Sequence, residues 1–307
     1  LIELDPNEAS AKGRPLALHL AAGSLRVLED YRAVIGTVDA IGVVAAVAAG
    51  SAADPDAPDA MSRGCTIAAI AALCRADKET TRRRVLRLVE GGVLHRNADG
   101  RVLLNDPFFR QPAVIDVMRR HAATAARLAN TFAERGVLGQ GGTHGEVRLE
   151  PCPAWSGTAA ADIAGAMLAS VHRSLDAYRK VVGSADYVLV VLAVLVISAR
   201  HLMAKAELPE ELEDVRTAIP RDRLAPCNIS SIAAAAGLPF ETARRKTLEL
   251  VARGALVRDD AGNVQFTPGV LQQPMIYDLV AQNAARAVAL ANRLLQLGIL
   301  VAQPAPR

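Results

Sequence analysis

Apolar and polar positions along this chain alternate in blocks that name their own elements. Two helical patterns come first, predicting helices over 16–34 and 37–50. SAADPDAPDA (51–60) then breaks the pattern with two prolines and three aspartates, as a loop does. TIAAIAALC (66–74) predicts a short apolar helix, Arg75-Ala76 a turn, and the following segment a longer amphipathic helix over about 77–90. On that helix Thr81, Val85, Leu88 and Val89 share one face, and Gly91-Gly92 ends it. VLHR-NADG-RVLL has the form of a small hairpin, and Pro112 opens a last helix. There Met118, Ala122, Ala125, Ala129 and Phe132 form a stripe of small and apolar side chains.

The same blocks return. Residues 64–138 align without a gap with 226–300, and 28 of the 75 positions are identical. The identities include Cys65/Cys227, Glu79/Glu241, Thr80/Thr242, Arg82/Arg244, Arg83/Arg245, Gly100/Gly262 and Pro112/Pro274. Upstream the shift changes, pairing Tyr31-Arg32, Gly36 and Asp39 with Tyr178-Arg179, Gly183 and Asp186. A unit of that length is a duplicated domain and not a solenoid repeat. The expected organisation is a first domain over 1–140, a linker over 141–160 and a second domain over 161–307, related by a pseudo-twofold axis. The insertion around 206–226 predicts one acidic helix and a loop. The helix stripes within 113–135 and 275–298 suit pairing between the two copies, pairing between two chains of a homodimer, or an internal core face.

Composition narrows the class. Apolar residues make up 51% of the chain but aromatics only 3%, so alanine, leucine and valine must fill the core, which favours closely packed helices. The apolar runs at 40–53 and 187–198 are short for membrane spans and are expected to be core helices. Four cysteines without a CxxC spacing predict reduced thiols in a cytoplasmic protein, and no secretory signal is expected. The net charge of +3 permits nucleic-acid binding without requiring it, so the placement of charge decides. No metal-ligand spacing, phosphate loop or nucleophile elbow is present, so neither a metal, a cofactor nor an enzyme activity is expected. Arg32–Asp39 and Arg179–Asp186 each place an acid two helical turns after an arginine. They are expected as polar clamps between helices, with an effector pocket as the other reading.

Short helix, turn, longer helix, hairpin: IAAIAALCRADKETTRRRVLRLVEGGVLHR and ISSIAAAAGLPFETARRKTLELVARGALVR resemble bacterial winged helix-turn-helix transcription regulators, broadly of the MarR, IclR, GntR and Crp/Fnr kind. The Glu-Thr-x-x-Arg core is similar to the start of the Crp/Fnr recognition helix. The resemblance implies a mainly α protein with two tandem winged-helix domains (about 61–105 and 225–267), each a three-helix core plus a two-stranded wing, with flanking helices. It further implies a double-stranded DNA partner, recognition helices over about 77–90 and 239–253, and a cytoplasmic, nucleoid-associated location.

The residue chemistry fits that partner. Glu79 can accept from cytosine N4, and Arg83 can fork onto guanine O6 and N7. Thr80 and Thr81 suit a phosphate or a thymine methyl, and Lys78, Arg82, Arg84 and Arg87 suit phosphates. Arg96, Arg101 and Arg258 flank the wing turns. The second copy offers Phe240, Glu241, Thr242, Arg244, Arg245 and Lys246. Residues 75–87 hold six basic and two acidic side chains, against four and two over 238–253, so the first copy is expected to bind DNA more strongly. A plasmid-type replication initiator, or a protein-interaction or chromosome-segregation scaffold without specific readout, are the alternatives.

Overall fold

The computed structural model describes residues 1–51, 64–138, 147–153, 155, 159–200, 209–220 and 223–304. Among these the chain is mainly helical, with twelve helices and three two-stranded sheets. Helices α1 (Pro6–Ala11), α2 (Gly13–Ile35), α3 (Val38–Ser51), α4 (Ile67–Cys74) and α5 (Lys78–Glu90) lead to a hairpin, β1 (Leu94–Arg96) and β2 (Val102–Leu104). Then come α6 (Asp106–Phe109), α7 (Pro112–Glu134) and strand β3 (Val147–Pro151). The order recurs as α8 (Ala160–Val182), α9 (Ala185–Ser198), α10 (Ile229–Ala236), α11 (Phe240–Ala252), β4 (Leu256–Arg258), β5 (Val264–Phe266), α12 (Pro274–Gln296) and β6 (Leu300–Pro304). The predicted loop at 51–60 lies, apart from Ser51, outside the described residues.

The upstream helix pairs hold the molecule together. Between α2 and α3 the axis turns by 95°, and between α8 and α9 by 88°. The turns fall at Gly36 (φ +102) and Gly183 (φ +100), a backbone region open to glycine and strained for other residues. Each corner sends its second helix across the other half of the chain, so α3 packs on α8 and α9 on α2. Helix α3 is buried almost all round, with Ile41, Val44, Ala45, Ala46, Val47 and Ala48 fully enclosed. A helix apolar on every side is stable in water only when surrounded, and small alanines let its neighbours come close. No single described helix is long and apolar enough to cross a membrane. One apolar cluster runs from Tyr31 and Phe109 through Met167 and Leu189 to Ile232 and Leu294, spanning both halves.

The alanine stripes are used inside the chain. Helices α7 and α12 pack on each other, and Ala125, Ala129, Phe132, Ala284, Ala291 and Leu294 are all buried. These faces are therefore covered within the chain. Where α2 meets α7, Tyr31 Oη and His121 Nδ1 lie 3.2 Å apart with their rings edge to face.

Two sequence expectations give way here. Residues 147–151, placed in the linker, form β3, which pairs antiparallel with the chain end from Val147↔Pro304 to Pro151↔Leu300. In the first half Leu4 bridges Leu138 at the aligned place. Asn130 grips the backbone of Leu149 through both amide atoms (2.8 and 3.0 Å), and its aligned partner Asn292 grips Ile2 likewise (2.8 and 2.7 Å). The 206–226 insertion is described over 209–220 and 223–226, where a 3-10 turn (Glu210–Leu212) stands in place of the expected acidic helix. Its fold is set from outside by Arg14 of α2, whose buried guanidinium donates to the carbonyls of Leu212 and Thr217.

The expected Arg–Asp clamps do not form. Asp39 pairs with Arg84, while Arg32 donates to the Ala236 carbonyl at 3.0 Å, across to the other half. Among the described residues no ion pair joins Arg179 to Asp186, and the Arg179 guanidinium lies against Gly42 of α3 instead. The corners at Gly36 and Gly183 put each arginine and its acid on different helices, so a spacing of seven no longer brings them together.

Two outcomes follow from these contacts. Arg14→Met should lower stability by about 2–4 kcal/mol in urea unfolding, since two carbonyls lose a charged donor. Burial pulls His121 down from 6.5 to about 4, so the folded state binds fewer protons than the unfolded chain between those values. Its contribution is therefore present above the ordinary histidine range and is lost as pH falls through it, about 3 kcal/mol in all. His19 and His172 shift the same way, so His121→Asn should remove only part of the slope of unfolding free energy against pH.

Candidate nucleic-acid interface

Helix α4 starts at Thr66, whose Oγ1 accepts from the Ala69 amide at 3.2 Å, and α10 starts at Asn228, which accepts from Ser231 at 2.8 Å. Both are side-chain caps for otherwise orphaned amides. Each helix ends on a left-handed residue, Arg75 (φ 51) in one half and Gly237 (φ +58) in the other. Gly237 has a second reason to be glycine, because a Cβ there would overlap the Arg32 guanidinium. Arg75 bears the strain of that conformation and reaches across to Asp176 of α8 at 2.9 Å. So both turns that precede the longer helices are tied to the opposite half.

Asp77 caps α5 by accepting from Thr80 at 2.8 Å, and that contact holds its carboxyl below the usual range. Thr81, Val85 and Leu88 form the buried face. Thr81, expected as a DNA contact, is fully buried and donates to the Asp77 carbonyl at 2.9 Å. Its aligned residue Ala243 is equally buried, so the position belongs to the core. Lys78, Glu79, Thr80, Arg82, Arg83 and Arg87 are exposed. Arg84 is half-buried and committed to Asp39, which anchors α5 to α3 and removes it from the outer face.

Glu79 organises that outer face. It accepts from Arg82 Nε and Nη2 (2.8 and 2.9 Å) and from Arg83 Nε (3.0 Å). The two arginines hold its carboxyl down at about 2, so it stays ionised at any ordinary pH. The Arg83 side chain is 70% exposed and keeps most of its donors free.

Helix α11 carries the same trio in a different setting. Glu241 accepts from Arg244 at 2.9 Å, while Arg245 lies 3.8 Å from Glu249, the residue aligned with Arg87. Lys246 is turned inward, 3.0 Å from Glu249 and 4.4 Å above the Tyr187 ring. Arg253 covers the same ring and donates to Tyr187 Oη at 2.8 Å, and Tyr187 itself bonds Glu249. Hence Lys246, expected at the DNA, ties α11 to α9 instead. Phe240 replaces Lys78 and stands exposed. Pro239, in place of Asp77, provides no side-chain cap.

The hairpins beside these helices are three residues per strand, one fewer than the sequence pattern. A third segment joins each, Cys65 bridging Val102 and Cys227 bridging Val264. Asn97 shapes the first tip, accepting from the Arg101 amide at 2.9 Å ahead of Gly100 (φ +72). Arg96 is exposed. Arg101 and Arg258 are exposed too but bend back, to the carbonyls of Gly64 and Gly262 at 3.3 Å each. Tyr187 and Arg75 are not singled out by the sequence, whereas Arg32 and Arg179 are, but with Asp39 and Asp186 as their expected partners.

Asp77→Ala should remove the cap and speed amide exchange at the start of α5 without unfolding α11. No protein-family model, curated protein or solved structure matches the chain, so function has to be argued from this geometry.

Proposed function

We propose that the chain is a sequence-specific duplex-DNA-binding transcription regulator built from two winged helix-turn-helix units, the products of an internal duplication related by a pseudo-twofold axis. What carries the reading is the outer face of α5, where Lys78, Arg82, Arg83 and Arg87 stand in solvent and serve no core. A helix of this kind enters the major groove with its first turns against base edges. Arg83 then forks onto guanine O6 and N7, and Glu79, released from it, accepts from a cytosine amine. Arg82 and Arg87 take phosphates, and Arg96 on the wing follows the backbone. The fork of Glu79 on both arginines aligns them beforehand and offsets charge that would otherwise grip any sequence.

Helix α11 reads a related but unequal half-site. It has Phe240 where α5 has a lysine and Glu249 where α5 has an arginine, and Lys246 is withdrawn. Phosphate attraction is accordingly weaker there. In this reading the protein works on the nucleoid in the cytoplasm.

Selection from a random duplex library at near-physiological salt should enrich a two-part, imperfect palindrome that Arg83→Ala/Arg245→Ala loses. Arg83→Glu should weaken binding to that site roughly tenfold to a hundredfold, and Arg245→Glu less. Equal losses would refute the ranking. Binding without any enriched motif, fading steeply with salt, would refute specific readout altogether.

A further inference from the structure

We infer that an apolar cavity beneath the 206–226 insertion binds a small neutral aliphatic molecule, held by burial of its apolar surface. The cavity, about 90 Å³, lies between α2 of the first half and α8, α9 and α12 of the second. The insertion, by which the second half is longer than the first, forms a further wall through Val215, Ile219 and Leu224. That wall is anchored from outside. Arg14 donates through its guanidinium to the carbonyls of Leu212 and Thr217, and its amide donates to the Glu213 carbonyl at 2.9 Å. Arg135 pairs with the Glu213 carboxylate at 3.2 Å. A segment with little regular structure is thus fixed over the space between the halves.

The chemistry of the lining selects the guest. Apart from Arg14, Tyr178, Ser198 and Asn283 the described lining is alanine, valine, leucine, isoleucine and one phenylalanine ring. Each of those four polar side chains is already committed. Arg14 serves the insertion carbonyls, and Ser198 Oγ lies 3.2 Å from the Cys227 thiol. Asn283 donates to the Leu279 carbonyl at 3.0 Å and accepts from Arg286 at 3.2 Å, while Tyr178 Oη is turned to Ser24. A water in the cavity lacks the several partners it needs, so the space stays dry. A polar or charged guest would give up its hydration and receive nothing in exchange. An aliphatic guest loses little on leaving water, and it supplies the dispersion contacts that a void denies to the side chains around it. The space is smaller than the ~150 Å³ cavity that holds benzene, which sets the guest at about three to five carbons.

Methyl-detected NMR of the full chain, without DNA, reads this site independently of the regulator reading. The probes are xenon, cyclopentane and n-pentane. Tetrahydrofuran, a ring of like shape with an ether oxygen, and butyrate, a charged aliphatic, serve as contrasts. Cyclopentane should bind saturably and shift the methyls of Leu195, Ile219, Ile276 and Val280, with tetrahydrofuran and butyrate roughly tenfold weaker or more. Leu271→Phe with Val280→Met puts into the cavity the side chains that the first half buries fully at the aligned Phe109 and Met118, and it should abolish binding. Ala17→Leu on α2 is the second filling variant if that pair does not fold. No saturable shift with xenon, cyclopentane or n-pentane would overturn the proposal. So would shifts confined to Val27, Leu28 and Leu128, which line a different cavity, tetrahydrofuran binding as tightly as cyclopentane, or binding unchanged in a folded filling variant.

Discussion

Close packing of α3 across α8, repeated by α9 across α2, is the constraint from which the rest of the architecture follows. Neither α3 nor α9 has a polar side to offer solvent, so each must be enclosed. Its own half cannot do this alone, because the corner at Gly36 or Gly183 points it away from its partner helix. The other half completes the enclosure. The hydrophobic core therefore belongs to the pair of halves, and the 1–140 and 161–307 segments share it.

That interlock also fixes the two exposed helices relative to one another. Arg32 of α2 holds the end of α10, and Asp176 of α8 holds the turn before α5, so each pair of short and longer helix hangs on a helix of the opposite half. Within each half a second tie brings the longer helix to its support: Arg84 to Asp39 in the first, Lys246, Glu249 and Arg253 around Tyr187 in the second. The ties occupy matching places but use different chemistry. A bare ion pair leaves α5 basic outside, whereas the tyrosine cluster draws one cation inward and places an acid beside Arg245. The difference between the two halves thus reaches the outer surface through what is needed to hold the helix down.

Much of the local structure was legible in the residues. Proline at 112 and 274, glycine at 100 and 262 and the apolar faces of the longer helices mark elements that form within a residue or two of expectation, because capping, turn geometry and amphipathic period act over short range. Other features left a local signal too weak or too mixed to decide. Thr81 shares the helical spacing of Val85 and Leu88, which points to the core, although its hydroxyl also suits a DNA contact; in the structure that hydroxyl is satisfied on the carbonyl one turn back. Strand β3 alternates over only five residues, VRLEP, between glycine-rich and proline-rich sequence, and what holds it is Asn130, seventeen residues before the strand begins.

Sequence alone determined the helical class, the repeat and the trio of glutamate and arginines on one face of each longer helix, since these depend on spacing along one segment. Tertiary structure decided which charges remain free. Arg84, Arg32, Lys246 and Asp39 look alike as exposed-type residues in the sequence, yet each finds its partner on a helix distant along the chain or committed to another contact. Ion pairs and carbonyl acceptors act over a few ångströms of space, and only the interlocked packing of the two halves sets what lies within that reach.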